Sequence, residues 1–118
     1  MQILWHFGVN AGKISPERFV ALMATNPAKI FGMERHKGRI AEGLDADILL
    51  WDPKAEYTIS AETQAMNTDY SMFEGWTVKG NVARVYSRGE LVVDENGFCG
   101  APGHGEFVKR KANAGELI

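Results

Sequence analysis

The side chains able to do chemistry near neutral pH are few: His6, His36, His104, Cys99 and the aspartates Asp45, Asp47 and Asp52. Paired metal-binding histidines recur at spacings such as i, i+2 or i, i+4, so that both ring nitrogens reach one ion. No two of the three histidines are spaced that way. His6 lies in an apolar helical pattern and reads as a packed or capping residue, His36 falls in a loop, and His104 sits between Gly103 and Gly105. Cys99 stands in a Gly/Pro-rich stretch with no base beside it, so a structural role is expected. Asp45 and Asp47, two apart, could share one strand face and form a carboxylate pair for acid–base work. The more ordinary reading is that Asp47 is structural and accepts backbone hydrogen bonds at a domain junction. Gly103-x-Gly105 has no strand–helix context for a phosphate loop. No Ser-His-Asp or Cys-His set can be assembled. The sequence therefore assigns no catalytic, cofactor-binding or metal-binding residue.

The elements that carry these residues divide into helices before about residue 34 and strands after it. Met1 to Phe7 reads as the tail of a helix stopped by Gly8. Ser15-Pro16-Glu17 is a helix start: a capping hydroxyl, proline at the first helical position, and a carboxylate where the helix dipole favours one. Phe19, Val20, Leu22 and Met23 have the spacing of one buried helical face. Thr25-Asn26-Pro27 repeats the cap signal and predicts a second short helix from Pro27 to Phe31, ended by Gly32. Gly38 to Gly43 is expected to be a short strand and a turn, with Ile40 pointing inward. Ala46 to Trp51 is an apolar run suited to a buried strand, and Tyr57 to Ile59 a brief one. Residues 60–75 read as irregular, anchored by Tyr70, Met72 and Phe73. Trp76 to Lys79, Val82 to Ser87 and Glu90 to Val93 read as strands, the last two joined through Arg88-Gly89 as a hairpin. Glu95-Asn96-Gly97 is a turn after which Phe98 extends the sheet, and Ala101 to Gly105 is irregular.

Bulk properties exclude several classes. The 118 residues suffice for one modest core. The net charge of −2 argues against a nucleic-acid binder with a basic surface. The basic cluster Lys109-Arg110-Lys111 reads as a solvated tail. No apolar run approaches the ~20 residues that span a bilayer. The apolar start lacks the basic region and cleavage site of a signal peptide. One cysteine forms no internal disulfide, which points to the cytoplasm.

Two blocks carry a specific resemblance. Lys37 to Pro53, K-G-R-I-A-E-G-L-D-A-D-I-L-L-W-D-P, resembles the C-terminal signature of the amidohydrolase superfamily. Asn67 to Gly75, N-T-D-Y-S-M-F-E-G, resembles the D-Y-x-x-[FY]-E-G stretch of hydantoinases and dihydropyrimidinases. The same branch resembles this chain at Thr25 to Gly32 (T-N-P-A-K-I-F-G), at Thr58 to Thr63 (T-I-S-A-E-T), at Ser87 to Val92, and at Gly103, Gly105 and Phe107.

The resemblance implies an α+β segment. Residues 1–34 would be the terminal helices of a TIM barrel, residues 35–100 the β-rich part of a composite β-sandwich domain whose other strands come from the N-terminal end of the chain, and residues 101–118 a C-terminal tail with a possible oligomer contact. The complete family opens dihydropyrimidine or hydantoin rings by hydrolysing a cyclic amide. Two divalent metals, usually zinc, bridged by a carbamylated lysine generate the hydroxide, and an aspartate moves protons. The family's metal ligands all lie upstream of the matched segment, so this chain is expected to hold no metal and to be inactive alone. The expected partner is the remainder of such a chain, or further copies of this one through exposed strands, as a homo-oligomer, with no nucleic acid and no membrane. A different class of function is a non-catalytic assembly module derived from the family. A third is a small binding domain with a pocket lined by Trp5, Trp51 or Trp76.

Overall fold

The computed structural model describes residues 1–64 and 66–111. α1 (Gln2–Leu4) continues as a π-helical turn, Trp5–Val9. The helix therefore runs through Gly8 instead of stopping there. Gly8 is buried, 3.1 Å separating the Ile14 Cδ1 from where a β-carbon would stand, and the first left-handed glycine is Gly12 at φ 69°. Close packing, not chain reversal, is what residue 8 provides.

Ser15 starts α2 (Pro16–Val20), its hydroxyl accepting the Arg18 N–H at 3.2 Å. That same hydroxyl, hydrogen-bonding Glu17, holds the Glu17 carboxyl below its ordinary pKa. A π-helical turn, Ala21–Thr25, then leads straight into α3 (Asn26–Ile30). Thr25 is no cap. Its backbone is helical (φ −66°, ψ −48°), and its hydroxyl donates to the Gly38 carbonyl at 2.9 Å. Pro27, the second residue of α3, has no N–H to give to the helix, and the change from π-helical to α-helical turns falls just before it. The helical run ends at Gly32, φ 65°.

Residues 33–47 form turns and no strand, and Ile40 is 83% exposed; both expectations for this stretch fail because Gly38 and Gly43 each take positive φ, which breaks an extended chain. The sheet comprises β1 (Ile48–Thr58), β2 (Thr77–Ser87), β3 (Glu90–Asp94) and β4 (Gly97–Phe98), antiparallel in that order. The two strands expected at 46–51 and 57–59 are one strand. It passes Pro53 through a bulge between Asp52 and Glu56, where Asp52 Oδ1 accepts the N–H groups of Lys54 (2.8 Å) and Ala55 (3.2 Å). β1 is an edge strand, the position where a sheet tolerates proline. Likewise β2 is continuous across Gly80. The hairpin from β2 to β3 turns on Arg88 (φ 49°) and Gly89 (φ 85°), two consecutive positive values as in a type I′ turn.

Helices meet sheet through three rings. Trp5 contacts Phe19 edge-on at 5.1 Å and Trp51 at 5.5 Å, and Phe19 lies 6.0 Å from Trp51. Among the described residues the buried apolar side chains are only Phe19, Ala28, Ile59 and Val78. The helical face predicted to be covered is mostly open: Val20 is 54% exposed, and Leu22 and Met23 are also exposed. Tyr70 and Met72 do not anchor residues 60–75 either. Phe73 does, meeting Trp76 edge-on at 5.4 Å, and Phe7 meets Trp76 edge-on at 5.7 Å.

The accessible surface is 8872 Å² for a 13.0 kDa chain, whereas a compact monomer of that mass exposes roughly 6300 Å². The Cα radius of gyration is 15.7 Å, against about 13.5 Å for a compact domain of this length. No helix among the described residues is long and apolar enough to cross a membrane.

Candidate functional site

Two features stand out: a polar clasp at the sheet's hairpin end and an apolar groove between helices and sheet. The clasp centres on Lys37. Its ammonium lies 2.7 Å from Asp45 Oδ2 and also bonds Asp47 Oδ2. Asp47 Oδ1 in turn accepts the Arg88 N–H at 2.8 Å, so this carboxylate holds the left-handed corner of the hairpin. Asp47 thus does accept a backbone hydrogen bond, and the donor is in the hairpin turn. Asp45 joins it on Lys37, with neither residue in a strand.

Partial desolvation would raise the Asp47 pKa, but the Lys37 hydrogen bond, the Arg88 N–H and the two positive charges outweigh it and hold the carboxyl below its usual value. For Lys37, desolvation pulls down and the two carboxylates push up; the carboxylates win. The arrangement is a charge-satisfied tie, with no carboxylate left free as a base.

His104 completes the hairpin contact. Its Nε2 is 3.1 Å from the Ser87 carbonyl oxygen and its Nδ1 is 3.1 Å from Glu90 Oε2. The Arg88 guanidinium donates to the His104 carbonyl and lies 3.8 Å from Glu106 Oε1. The backbone N–H of Lys111 donates to the Gly32 carbonyl at 3.0 Å. Residues 101–111 are thereby pinned across the hairpin and the helical end, with the backbone of the basic cluster tied at Lys111 instead of wholly free. Residues 112–118, the remainder of the expected tail, lie outside the described residues.

His6 ties the π-helical turn after α1 to the sheet: its Nδ1 accepts the Lys79 N–H at 2.9 Å, so Nε2 carries the proton in the neutral ring. His36 is exposed in the turns. The structure thus keeps the three histidines on separate elements. Among the described residues no three or more His, Cys, Asp or Glu side chains form a group that could hold a metal ion. Among the described residues, His6 Nδ1 and both ring nitrogens of His104 already meet partners within the fold. Cys99 is exposed, its thiol 3.7 Å from the Leu91 carbonyl. Sequence reasoning singled out Asp47 and His104 but missed their partners Lys37, Arg88 and Glu90. Lys37 and Arg88 sat in quoted motifs, yet nothing in a linear pattern pairs residues 41 positions apart.

The groove, about 750 Å³, is lined by Trp5, Phe19, Met23, Phe31, Leu49 and Trp51 among others. Trp76 is not part of it. Two indole N–H groups, of Trp5 and Trp51, are buried there without a hydrogen-bond partner. Both apolar faces of β1 stay partly open, with Leu49 37% and Leu50 44% exposed.

Residues 1–92 match the family model described as "Amidohydrolase family". The chain belongs to the amidohydrolase family. It is similar to the D-hydantoinase of Ralstonia pickettii, 51% identical over 104 residues that cover 88% of this chain and 23% of that protein. It is also similar to the dihydropyrimidinase of Rattus norvegicus, 44% identical over 111 residues covering 94% of this chain and 21% of that protein. Among solved structures, a D-hydantoinase from Bacillus sp. AR9 superposes with a TM-score of 0.89 at 46% identity, covering 95% of this chain and 24% of that one. This amidohydrolase chain therefore spans about a quarter of the length of the relatives it matches, and its α+β arrangement of helices and antiparallel sheet is theirs.

Proposed function

We propose that this chain is the C-terminal part of a metal-dependent hydrolase that opens cyclic amides, dihydropyrimidines or hydantoins, and that its contribution is structural. Residues 1–34 would supply the last helices of a barrel. Residues 35–100 would supply one sheet of a sandwich that the rest of the polypeptide completes, and residues 101–118 a tail available to a neighbouring subunit. The observation that carries this reading is the pairing of high identity over nearly the whole chain with relatives about four times as long. The open groove and the excess surface support it, since a sheet with apolar side chains on both faces expects cover on both.

On this reading the metals and their ligands, the proton-moving aspartate and the substrate loops belong to residues outside this chain. When bound, such metals would supply a hydroxide and polarise the amide carbonyl. What this chain supplies is position: the Lys37–Asp47–Arg88 clasp holds the turns after the helices against the sheet. Isolated copies would cover their apolar surface by associating with one another.

The test is an assay of ring opening on hydantoin and dihydrouracil with added zinc. The purified chain is expected to show no turnover. Together with the upstream three-quarters of the Ralstonia pickettii D-hydantoinase it is expected to restore turnover. Turnover by the chain alone would overturn the structural role, and failure to bind the upstream part would overturn the proposed partner.

A further inference from the structure

We propose that Asn96 is a site of spontaneous deamidation and isoaspartate formation, with the backbone nitrogen of Gly97 as nucleophile and water as the second reactant. The inference does not rest on the function proposed above. Of the asparagines in the chain, Asn96 alone precedes glycine. Asn26 is followed by Pro27, which has no N–H to give up, and Asn67 and Asn81 by the β-branched Thr68 and Val82, which shield the backbone nitrogen.

The structure favours the reaction at residue 96 in three ways. Asn96 and Gly97 are both exposed, in the tight turn that joins β3 to β4. Gly97 takes φ 105°, a conformation that glycine adopts freely, and it carries no side chain to shield its nitrogen, with no heavy atom beyond its chain neighbours within 4 Å of where a β-carbon would be. Finally, no hydrogen bond to the Asn96 side-chain amide is found among the described residues, while its backbone N–H donates to Asp94 Oδ1 at 2.7 Å. By contrast, the side chain of Asn10 donates to the Lys79 carbonyl and that of Asn81 accepts from Gln2.

The closing pair Asp94↔Gly97 must open for the nitrogen to turn. Only one further pair, Val93↔Phe98, holds β4, so the opening is local. The Gly97 N–H then loses its proton to solvent base, and its nitrogen bonds the Asn96 Cγ. The bond from Cγ to the side-chain nitrogen breaks and ammonia leaves, giving a five-membered succinimide. Water adds to either ring carbonyl and opens it, to aspartate or to isoaspartate. One water is consumed, one ammonia is released, and no electrons change hands.

Both products place a carboxylate beside Asp94 and Glu95, and isoaspartate also inserts a methylene into the main chain. Either change works against β4 and against the adjoining bond from the Cys99 N–H to the Val92 carbonyl, now 3.0 Å.

The experiment is to age the 118-residue chain at mildly alkaline pH and follow tryptic peptides by mass. The peptide spanning 89–109 has Asn96 as its only asparagine, and the peptide spanning 55–79 has Asn67 as its own control. The amide-to-acid mass gain is expected severalfold faster in the first peptide and faster still as pH rises. An isoaspartate-specific methyltransferase should label its product. Asn96→Gln, which keeps the turn, should abolish both signals even if Gly97→Ala disturbs the hairpin. Equal rates in the two peptides, or conversion at residue 96 without isoaspartate label, would overturn the proposal.

Discussion

Trp5 occupies the space that a side chain at Gly80 would need: its Nε1 would stand 2.8 Å from a β-carbon there. The helix thus sits directly on the backbone of β2, where Gly80 has φ 104° and is buried. Gly80→Ala combines a steric conflict with a backbone conformation that L-residues avoid, and is expected to cost about 2–3 kcal/mol. Urea unfolding of both proteins, followed by tryptophan fluorescence, measures it. A loss too small to resolve would mean that the Trp5 contact does not organise the helix–sheet junction.

The clasp predicts a pH dependence. The Asp47 pKa is held below its unfolded value near ~3.9, so its contribution is present above that pH and is lost as pH falls through the lower folded value. The Lys37 pKa is held above its unfolded value of about 10.4, so its contribution is present below that pH and lost as pH rises through the folded value. Between about pH 5 and 9 both are in force. Asp47→Asn should lose about 1–2 kcal/mol there, the lower part of the range for charged hydrogen bonds because the carboxylate is 38% exposed. The deficit should shrink as pH falls below about 4, where the unfolded carboxylate binds a proton that the native one still excludes, and vanish once pH passes the lower folded value. A deficit that stays constant down to acid-induced unfolding would contradict the assignment.

Ser15 tests the start of the helical run. Ser15→Ala removes the one side-chain acceptor for the Arg18 N–H and should cost about 1 kcal/mol, with Ser15→Asp close to neutral. Thermal unfolding by circular dichroism reads both. Equal losses in the two variants would show that the hydroxyl does not act as a cap.

Local chemistry was legible in the sequence where one residue's preference decides the outcome. The Ser15-Pro16 start and the Arg88-Gly89 hairpin were read correctly because a cap and a type I′ turn are set by the residues themselves. The errors fall where neighbours in space decide. Gly8 looked like a helix stop, but Ile14 packs against it. Thr25 looked like a cap, but Gly38 takes its hydroxyl. Strands were expected to end at Trp51 and Lys79, but an edge bulge past Pro53 and the Trp5 contact at Gly80 let the chain pass through. Val20 and Leu22 were assigned to a buried face, and they do lie on an apolar one; among the described residues nothing covers it. The three isolated histidines offered no metal spacing in the sequence, while the clasp around His104 depends on pairings of residues 14 to 17 positions apart that periodicity does not encode.

The open face predicts association. In isolation the chain should sediment well above its mass of 13.0 kDa, because the excess exposed surface is of the size buried in obligate interfaces, about 2000 Å² or more. Leu49→Glu, placed in the groove and on the edge strand, should shift the population toward monomer. A wild-type chain that sediments as a monomer without binding an apolar dye would show that the face is closed by other means.

The central claim is that this chain is a structural quarter of a cyclic-amide hydrolase. The most direct measurement replaces the matching 104 residues of the Ralstonia pickettii D-hydantoinase with those of this chain and assays hydantoin ring opening. The account predicts a folded chimera that binds metal and turns over hydantoin, because the exchanged segment positions the rest without touching the reacting atoms. A chimera that folds and binds metal yet has lost ring opening would contradict it, since the segment would then hold residues the chemistry needs.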